Sequence, residues 1–202
     1  MSDSLLRLFS RFGRFDCYTR WGCAAVYLAL REAGYDPGQR RRNPGFLLSG
    51  QYGSFITDLD YYATTENGGE LASPQLFSYT LPNIIIGECS LPFGLTGPAY
   101  CLDGEGSRGG AALRQAVLHL EHPAVEAMLV GWLEARPPQA PPGEEGAIVL
   151  VLDKRKRDGE ERLELDAGRG GELRFLSGET VQGVDDLLGG FSFQWIPHSL
   201  GD

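Results

Sequence analysis

Histidine and cysteine are scarce in this chain. Its 202 residues include three histidines, His119, His122 and His198, and four cysteines, Cys17, Cys23, Cys89 and Cys101. No CxxC pair or tight cluster occurs among them, which removes the usual zinc and dithiol redox frameworks, and His119 and His122 stand three apart with no partner motif. Scattered cysteines of this kind are expected as free, buried thiols in a reduced compartment, with the cytoplasm as the expected location. Basic residues are outnumbered, 18 Lys and Arg against 27 Asp and Glu, for a formal net charge of −9. So acidic a surface argues against a nucleic-acid partner. The runs Arg40-Arg41-Arg42 and Lys154-Arg155-Lys156-Arg157 are local exceptions and read as solvated loops. No apolar stretch reaches the roughly 18 residues of a membrane span. The start, MSDSLLRLFSRFGRF, lacks the apolar core and small-residue cleavage site of a secretory leader. Leu5, Leu6, Leu8 and Phe9 there form an apolar side expected to pack on the body. No pattern calls for a metal or an organic cofactor.

What is present suits one folded unit over residues 1–202. The chain is 42% hydrophobic and 22% charged, enough to bury a single sizeable core, and 28 glycines with 12 prolines imply many turns. Residues 14–34 carry Tyr18, Trp21, Ala25, Leu28 and Ala29 at helical spacing, with Gly34 as a stop. PGFLLSG (44–50) is a short apolar run between breakers, read as a buried strand, and residues 51–72 are expected to be irregular apart from a helical segment over 55–63. Ser73-Pro74 is a helix start, and Pro82 divides the stretch up to residue 93 into two short helices, the second over 83–93. Ala99–Asp103 and Val125–Glu134 read as buried strands flanking a helix over 106–120. After the proline cluster 137–142, Ile148–Leu152 and Arg162–Asp166 are expected to pair as a hairpin around Asp158-Gly159. A strand over 172–176, a helical piece over 181–188 and the aromatic end FSFQWIP complete the chain. The order predicts an α/β layer with a mixed, mostly parallel sheet, helices packed on it and an antiparallel C-terminal hairpin.

The segment with most chemical interest is GPAYCLDGEGSRGGAALRQAVLHL, Gly97 to Leu120. A buried strand runs into a glycine-rich turn, DGEGSRGG, and then into a helix whose first turn is made of small residues. Backbone N–H groups at such a turn can cradle an oxyanion, a carboxylate or a phosphate, or simply let strand and helix pack closely. Glu105, Gly106, Ser107 and Arg108 are therefore the candidate site residues. Ser107 reads as a first-turn hydroxyl or as the nucleophile of an esterase or thioesterase, although no general base can be placed beside it. Cys101, five positions before Gly106, reads as an inert core thiol or a displaced nucleophile. Arg108 is expected to pair with Glu105 or Asp103, or to bind an anion.

This segment resembles the nucleophile elbow of the β-ketoacyl synthases. Further stretches are similar to that family in the same order: GRFDCYTRWGCAAVYLALREAG, FLLSGQYGSF, SPQLFSYTLPNIIIGECSLPFGLTGP, VEAMLVGWLEA and GEEGAIVLVLDKRKRD. The resemblance implies a thiolase-like half-domain, the N-terminal half of a condensing enzyme. In the family a cysteine thiolate at the elbow, favoured by the helix dipole, receives the acyl chain. Counted from Gly97-Pro98, that position is Gly106. The two histidines of the condensing site belong to the other half of the enzyme and have no match here. The resemblance thus implies a non-catalytic relative, akin to chain-length-factor-like proteins that replace the cysteine and partner a working synthase. Expected partners are a second copy or a complete ketosynthase, joined through the strand Ala99, Tyr100, Cys101, Leu102 and Asp103, and an acyl carrier protein is an alternative. A lone half also leaves one face of the central helix to be covered, and Phe191, Phe193, Trp195 and Ile196 are candidates for folding back over it.

Overall fold

The computed structural model describes residues 2–35, 43–66, 68–104, 108–154, 165–167, 173–175 and 180–188. Its elements in chain order are α1 (Ser2–Leu8), α2 (Cys17–Glu32), β1 (Gly45–Gly50), α3 (Phe55–Thr65), α4 (Pro74–Phe77), α5 (Ile84–Phe93), β2 (Ala99–Asp103), α6 (Gly110–Glu121), β3 (Ala127–Glu134), β4 (Gly146–Asp153), β5 (Leu165–Ala167), β6 (Leu173–Phe175) and β7 (Thr180–Val181). Short 3-10 turns occupy Phe12–Arg14, Gly69–Leu71 and Val184–Leu188.

Local chemistry sets the helix boundaries. Asp16 caps α2 by accepting from the Thr19 N–H at 3.0 Å, while its other carboxylate oxygen accepts from the Thr57 hydroxyl at 2.5 Å. Ser73 accepts from the Leu76 N–H at 3.2 Å, with Pro74 in the first turn of α4, as the Ser-Pro pair predicts. The Asn83 boundary of α5 is also where the sequence places it. In and just after α1, Leu5 and Phe9 are buried as expected, but Leu6 is half exposed.

The main sheet has the order β2-β1-β3-β4. Strand β1 pairs parallel with both β2 and β3, and β3 pairs antiparallel with β4. The mixed, mostly parallel sheet predicted from the element order is therefore present. Among the described residues the partner of β4 differs from the expected hairpin, of which residues 162–164 lie outside them. It is β3, reached through the proline-rich connection, while β5 pairs with β6 in a separate three-stranded antiparallel sheet completed by β7. The physical reason is burial: every residue of β3 is buried, and it needs a strand on each side to satisfy its backbone. The turn around Asp158-Gly159 and the aromatic end lie outside the described residues.

Side chains alternate across the sheet with period two. Phe46, Leu48, Leu129 and Leu133 face a core built with Cys23, Val26 and Leu30 of α2 and Ile85 and Cys89 of α5. Leu47, Met128 and Val130 face the opposite way, against Ala112, Leu113 and Ala116 of α6. That second core is extended by Leu173, Val181 and Leu187 from the small sheet and the final 3-10 turn. The chain's own C-terminal segment thus covers apolar surface on the α6 side; Phe191, Phe193, Trp195 and Ile196, expected in that role, lie outside the described residues. No helix among the described residues is long and apolar enough to cross a membrane.

Candidate functional site

Strands β1, β2 and β3 run parallel, so their C-terminal ends form one rim of the sheet. Ligands of open α/β sheets bind beyond such a rim. The chain leaves β2 here, turns, and re-enters as α6. Gly104 donates its N–H to the Gly50 carbonyl at 3.1 Å, and a Cβ on Gly104 would fall 2.9 Å from the Gly50 nitrogen. On the other side of the turn Gly109 has a φ of 70°, and a Cβ there would meet Val184 at 2.7 Å. Both ends of the turn are glycine because neighbouring groups pack directly against the backbone there. Helix α6 starts at Gly110, later than the expected residue 106, since the left-handed conformation of Gly109 delays it. Glu105, Gly106 and Ser107 lie outside the described residues.

Arg108 is placed; the expected pairing with Glu105 falls outside the described residues, and among the described residues its carboxylate partners are ones other than Asp103. Its guanidinium bonds to Glu144 and, at 3.0 Å, to Asp185, and it stacks over the Trp132 ring with 5.5 Å to the centroid. Its carbonyl accepts from the Val184 N–H at 2.8 Å. The side chain crosses the rim towards β3 because Trp132 offers a flat apolar seat there, with carboxylates at its edge.

Glu134, at the end of β3, is 3% exposed. Its two carboxylate oxygens accept from the backbone N–H groups of Gln51 and Tyr52 at 2.7 and 2.9 Å. Arg136 lies over the Tyr52 ring at 5.0 Å and donates to the Pro141 carbonyl. Gln51, Gly104, Arg108, Trp132, Glu134, Arg136 and Glu144 line an open, mostly polar hollow of about 190 Å³. Ser49, in register with Leu102 and Trp132, is fully buried and its hydroxyl has no hydrogen-bond partner among the described residues. Trp132, Glu134 and Arg136 were not singled out from sequence. The available signal was a carboxylate ending the otherwise apolar run AMLVGWLE.

The thiols point elsewhere. Cys101 is in register with Leu48 and faces the α2 and α5 layer, away from α6. Its Sγ is 3.4 Å from the Pro82 carbonyl, and burial pushes its pKa up to about 11. Burial also raises Cys17 and, more strongly, Cys89, whose Sγ is 3.6 Å from that of Cys23. All four cysteines are free. His119 Nε2 is 2.8 Å from the Tyr100 hydroxyl, and His122 Nδ1 accepts from the Ala124 N–H at 3.2 Å. Both lie at the far end of α6, beside a second hollow of about 550 Å³ that includes Asn43, Thr96 and Leu118. His198 lies outside the described residues. Among the described residues no imidazole lines the hollow at the elbow, and no group of three or more His, Cys, Asp or Glu side chains is arranged to hold a metal.

Of the expected pairing strand, Ala99 and Asp103 are exposed while Tyr100, Cys101 and Leu102 are half-buried. Among the described residues strand β2 is an edge of the sheet, hydrogen-bonded on one side to β1.

Comparison with solved structures returns the same architecture. The chain superposes on the ishigamide ketosynthase/chain length factor with a TM-score of 0.58 at 18% identity, covering 74% of this chain and 46% of that one. Against AntDE:AntF, a type II PKS acyl-carrier protein in complex with its ketosynthase bound to the hexaketide, the score is 0.57 at 21% identity, covering 70% and 47%. Against the ketosynthase ApeO in complex with its chain length factor ApeC from Xenorhabdus doucetiae it is 0.54 at 14% identity, covering 72% and 60%. The chain thus spans about half the length of the first two structures and 60% of the third. No curated protein sequence matches it. The family profile described as beta-ketoacyl synthase, N-terminal domain, matches residues 8–138, more than half of the chain. The match runs from the end of α1 past the end of β3, and by it the chain belongs to the β-ketoacyl synthases through their N-terminal domain.

Proposed function

We propose that this chain is a ketosynthase-like protein without condensing chemistry, acting by association with a complete ketosynthase in polyketide-type or fatty-acid-type biosynthesis. The observation that carries the reading is the residue at the elbow. Gly106 stands where the family's acyl-accepting thiol belongs, and the nearest cysteine in sequence, Cys101, faces the other side of the sheet with its thiol held protonated. A thioester cannot form without a thiolate, and a thiol of pKa about 11 is almost wholly protonated at neutral pH. The neighbours named as ketosynthase and chain length factor complexes support an accessory role. For the surface, we propose β2: an edge strand offers unpaired backbone groups to a second strand, and a two-fold contact there would use the same patch on both partners.

The test has two arms. Incubated with an acyl thioester and malonyl donor, the purified chain should show no acyl adduct by intact mass and no condensation product; an adduct on any residue overturns the reading of inactivity. Mixed with a complete ketosynthase, it should form a heavier species in light scattering, and Ala99→Lys on the exposed edge of β2 should abolish that species.

One observation favours a second reading, recognition of an acyl carrier protein, since one similar structure is such a complex. The net charge of −9 weighs against it, because carrier proteins are usually acidic and like charges repel. A carrier pull-down that stays empty removes it.

A further inference from the structure

All four cysteines sit on one side of the main sheet. Cys23 and Cys89 belong to the core between the sheet and helices α2 and α5, and Cys17 and Cys101, half-buried, pack against it. Two of the four touch: the Cys89 thiol donates to the Cys23 Sγ at 3.6 Å, and both residues are 0% exposed. The contact follows from how α2 and α5 meet. Gly22, next to Cys23, has no side chain to hold the helices apart, and a Cβ there would overlap Ile85 of α5. With the helices this close, the two sulfurs meet across the crossing.

A sulfur pair in contact has a chemistry that a lone buried thiol lacks. A disulfide bond is about 2.05 Å long, so closing the pair needs each sulfur to move by less than about 1 Å, a shift within reach of χ1 rotation. We infer that Cys23 and Cys89 are a dithiol that oxidises to a disulfide and staples α2 to α5, the helix that leads into β2. With hydrogen peroxide as the oxidant, one sulfur attacks the O–O bond, which breaks to leave a sulfenic acid and one water. The other sulfur then displaces the hydroxyl of the sulfenic acid, the S–S bond forms and a second water leaves. Two electrons pass from the sulfurs to the peroxide, and both thiol protons end in water. Burial holds Cys89 protonated, so the first attack waits for α5 to loosen from the core. The pair therefore stays a dithiol in a reduced compartment and closes under sustained oxidation. Cys101 is directed elsewhere, its Sγ lying 3.4 Å from the Pro82 carbonyl. The inference stands apart from the accessory reading and from the pairing proposed for β2.

The test treats the full chain with hydrogen peroxide under native conditions, then unfolds it in urea without reductant and alkylates the remaining thiols. It is run on the wild type and on Cys17→Ala/Cys101→Ala, which keeps only the buried pair. The double variant should become lighter by two hydrogens and take up no alkyl group, and dithiothreitol in urea should restore both sites. Trypsin should then leave residues 21–31 joined to residues 43–108. In the wild type the second peptide also holds Cys101, so a link from Cys23 to Cys101, or any link to Cys17, would overturn the assignment. The linked double variant should keep the circular dichroism of its dithiol form and melt about 5–10 °C higher, because the bond closes a long loop of the unfolded chain. A linked species that melts lower, or that has lost its helical signal, would mean that the bond forms only in an unfolded chain. Sulfinic or sulfonic acid at Cys23 or Cys89 without a link, or disulfide-joined dimers in place of the internal bond, would equally overturn the inference.

Discussion

Glu134 and Gln51 are joined by a 2.7 Å hydrogen bond in which the carboxylate at the end of the central strand accepts the backbone N–H of the first residue after β1. The second oxygen takes the Tyr52 N–H at 2.9 Å, so one buried side chain fixes the exit of the neighbouring strand. Removing it leaves two donors without a partner. Glu134→Ala should lower the unfolding free energy in urea by about 3 kcal/mol or more, two hydrogen bonds to a charged group contributing about 1.5–3 each. Glu134→Gln keeps one acceptor oxygen and should lose about half as much. A Gln variant as stable as the wild type would mean that volume, not hydrogen bonding, is what Glu134 supplies.

The elbow and the C-terminal segment are held together through Arg108, which meets Asp185 by its side chain and Val184 by its carbonyl. Arg108→Ala should therefore accelerate amide hydrogen exchange over 180–188 while leaving β1 and β3 protected, and should change Trp132 fluorescence by removing the cation over its ring. Arg108→Lys should behave almost like Ala, because an ammonium cannot span two carboxylates and stack at once. Restoration of slow exchange by lysine would show that charge alone suffices.

Leu173 and Val181 are 2% and 3% exposed and pack in the same core as Ala112 and Leu113 of α6. If the small sheet is a real cover for the α6 side, Leu173→Ala should cost about 2–4 kcal/mol, the range of a buried leucine truncation. The variant should also bind a hydrophobic dye more strongly than the wild type. A loss below about 1 kcal/mol would place the segment among loosely attached surface pieces.

Much of this architecture was legible because its signals are local. Ser73-Pro74 marks a helix start by capping chemistry, and the apolar runs at Phe46 and Leu129 mark strands by length and by the breakers around them. Pairing was less legible. β4 carries nothing that names β3 rather than the segment around Asp166 as its neighbour, because a strand's partner depends on which backbone elsewhere needs satisfying. The elbow was located by its glycines, and both Gly104 and Gly109 prove sterically necessary. Arg108's partners were not foreseeable, since Glu144 and Asp185 lie 36 and 77 positions away in sequence and meet it only through the sheet. Glu134 was visible as a charge in an apolar run but was not recognised as a clamp.

The thiols make a prediction about alkaline stability whose sign can be worked out. Burial raises Cys17, Cys89 and Cys101, the last to about 11, while an unfolded chain titrates its thiols near 8.5. Between those values the unfolded state has lost protons that the folded state keeps, so stability falls as pH rises. Below about pH 8 both states hold the protons and the contribution is constant. Tyr18, Tyr79 and Tyr100 are also raised by burial and add to the loss above about pH 10, so the thiol part has to be isolated by difference. Urea unfolding of the wild type and of Cys101→Ala, compared at intervals from about pH 7 to 11, should show the two curves parallel up to about pH 8.5 and the wild type falling faster beyond it. Alkylation of Cys101 followed by peptide mass should be slow at about pH 7 and speed up towards about pH 11. Rapid alkylation at neutral pH would mean that this thiol is ionised after all, and the case against it as a nucleophile would then rest on its orientation alone.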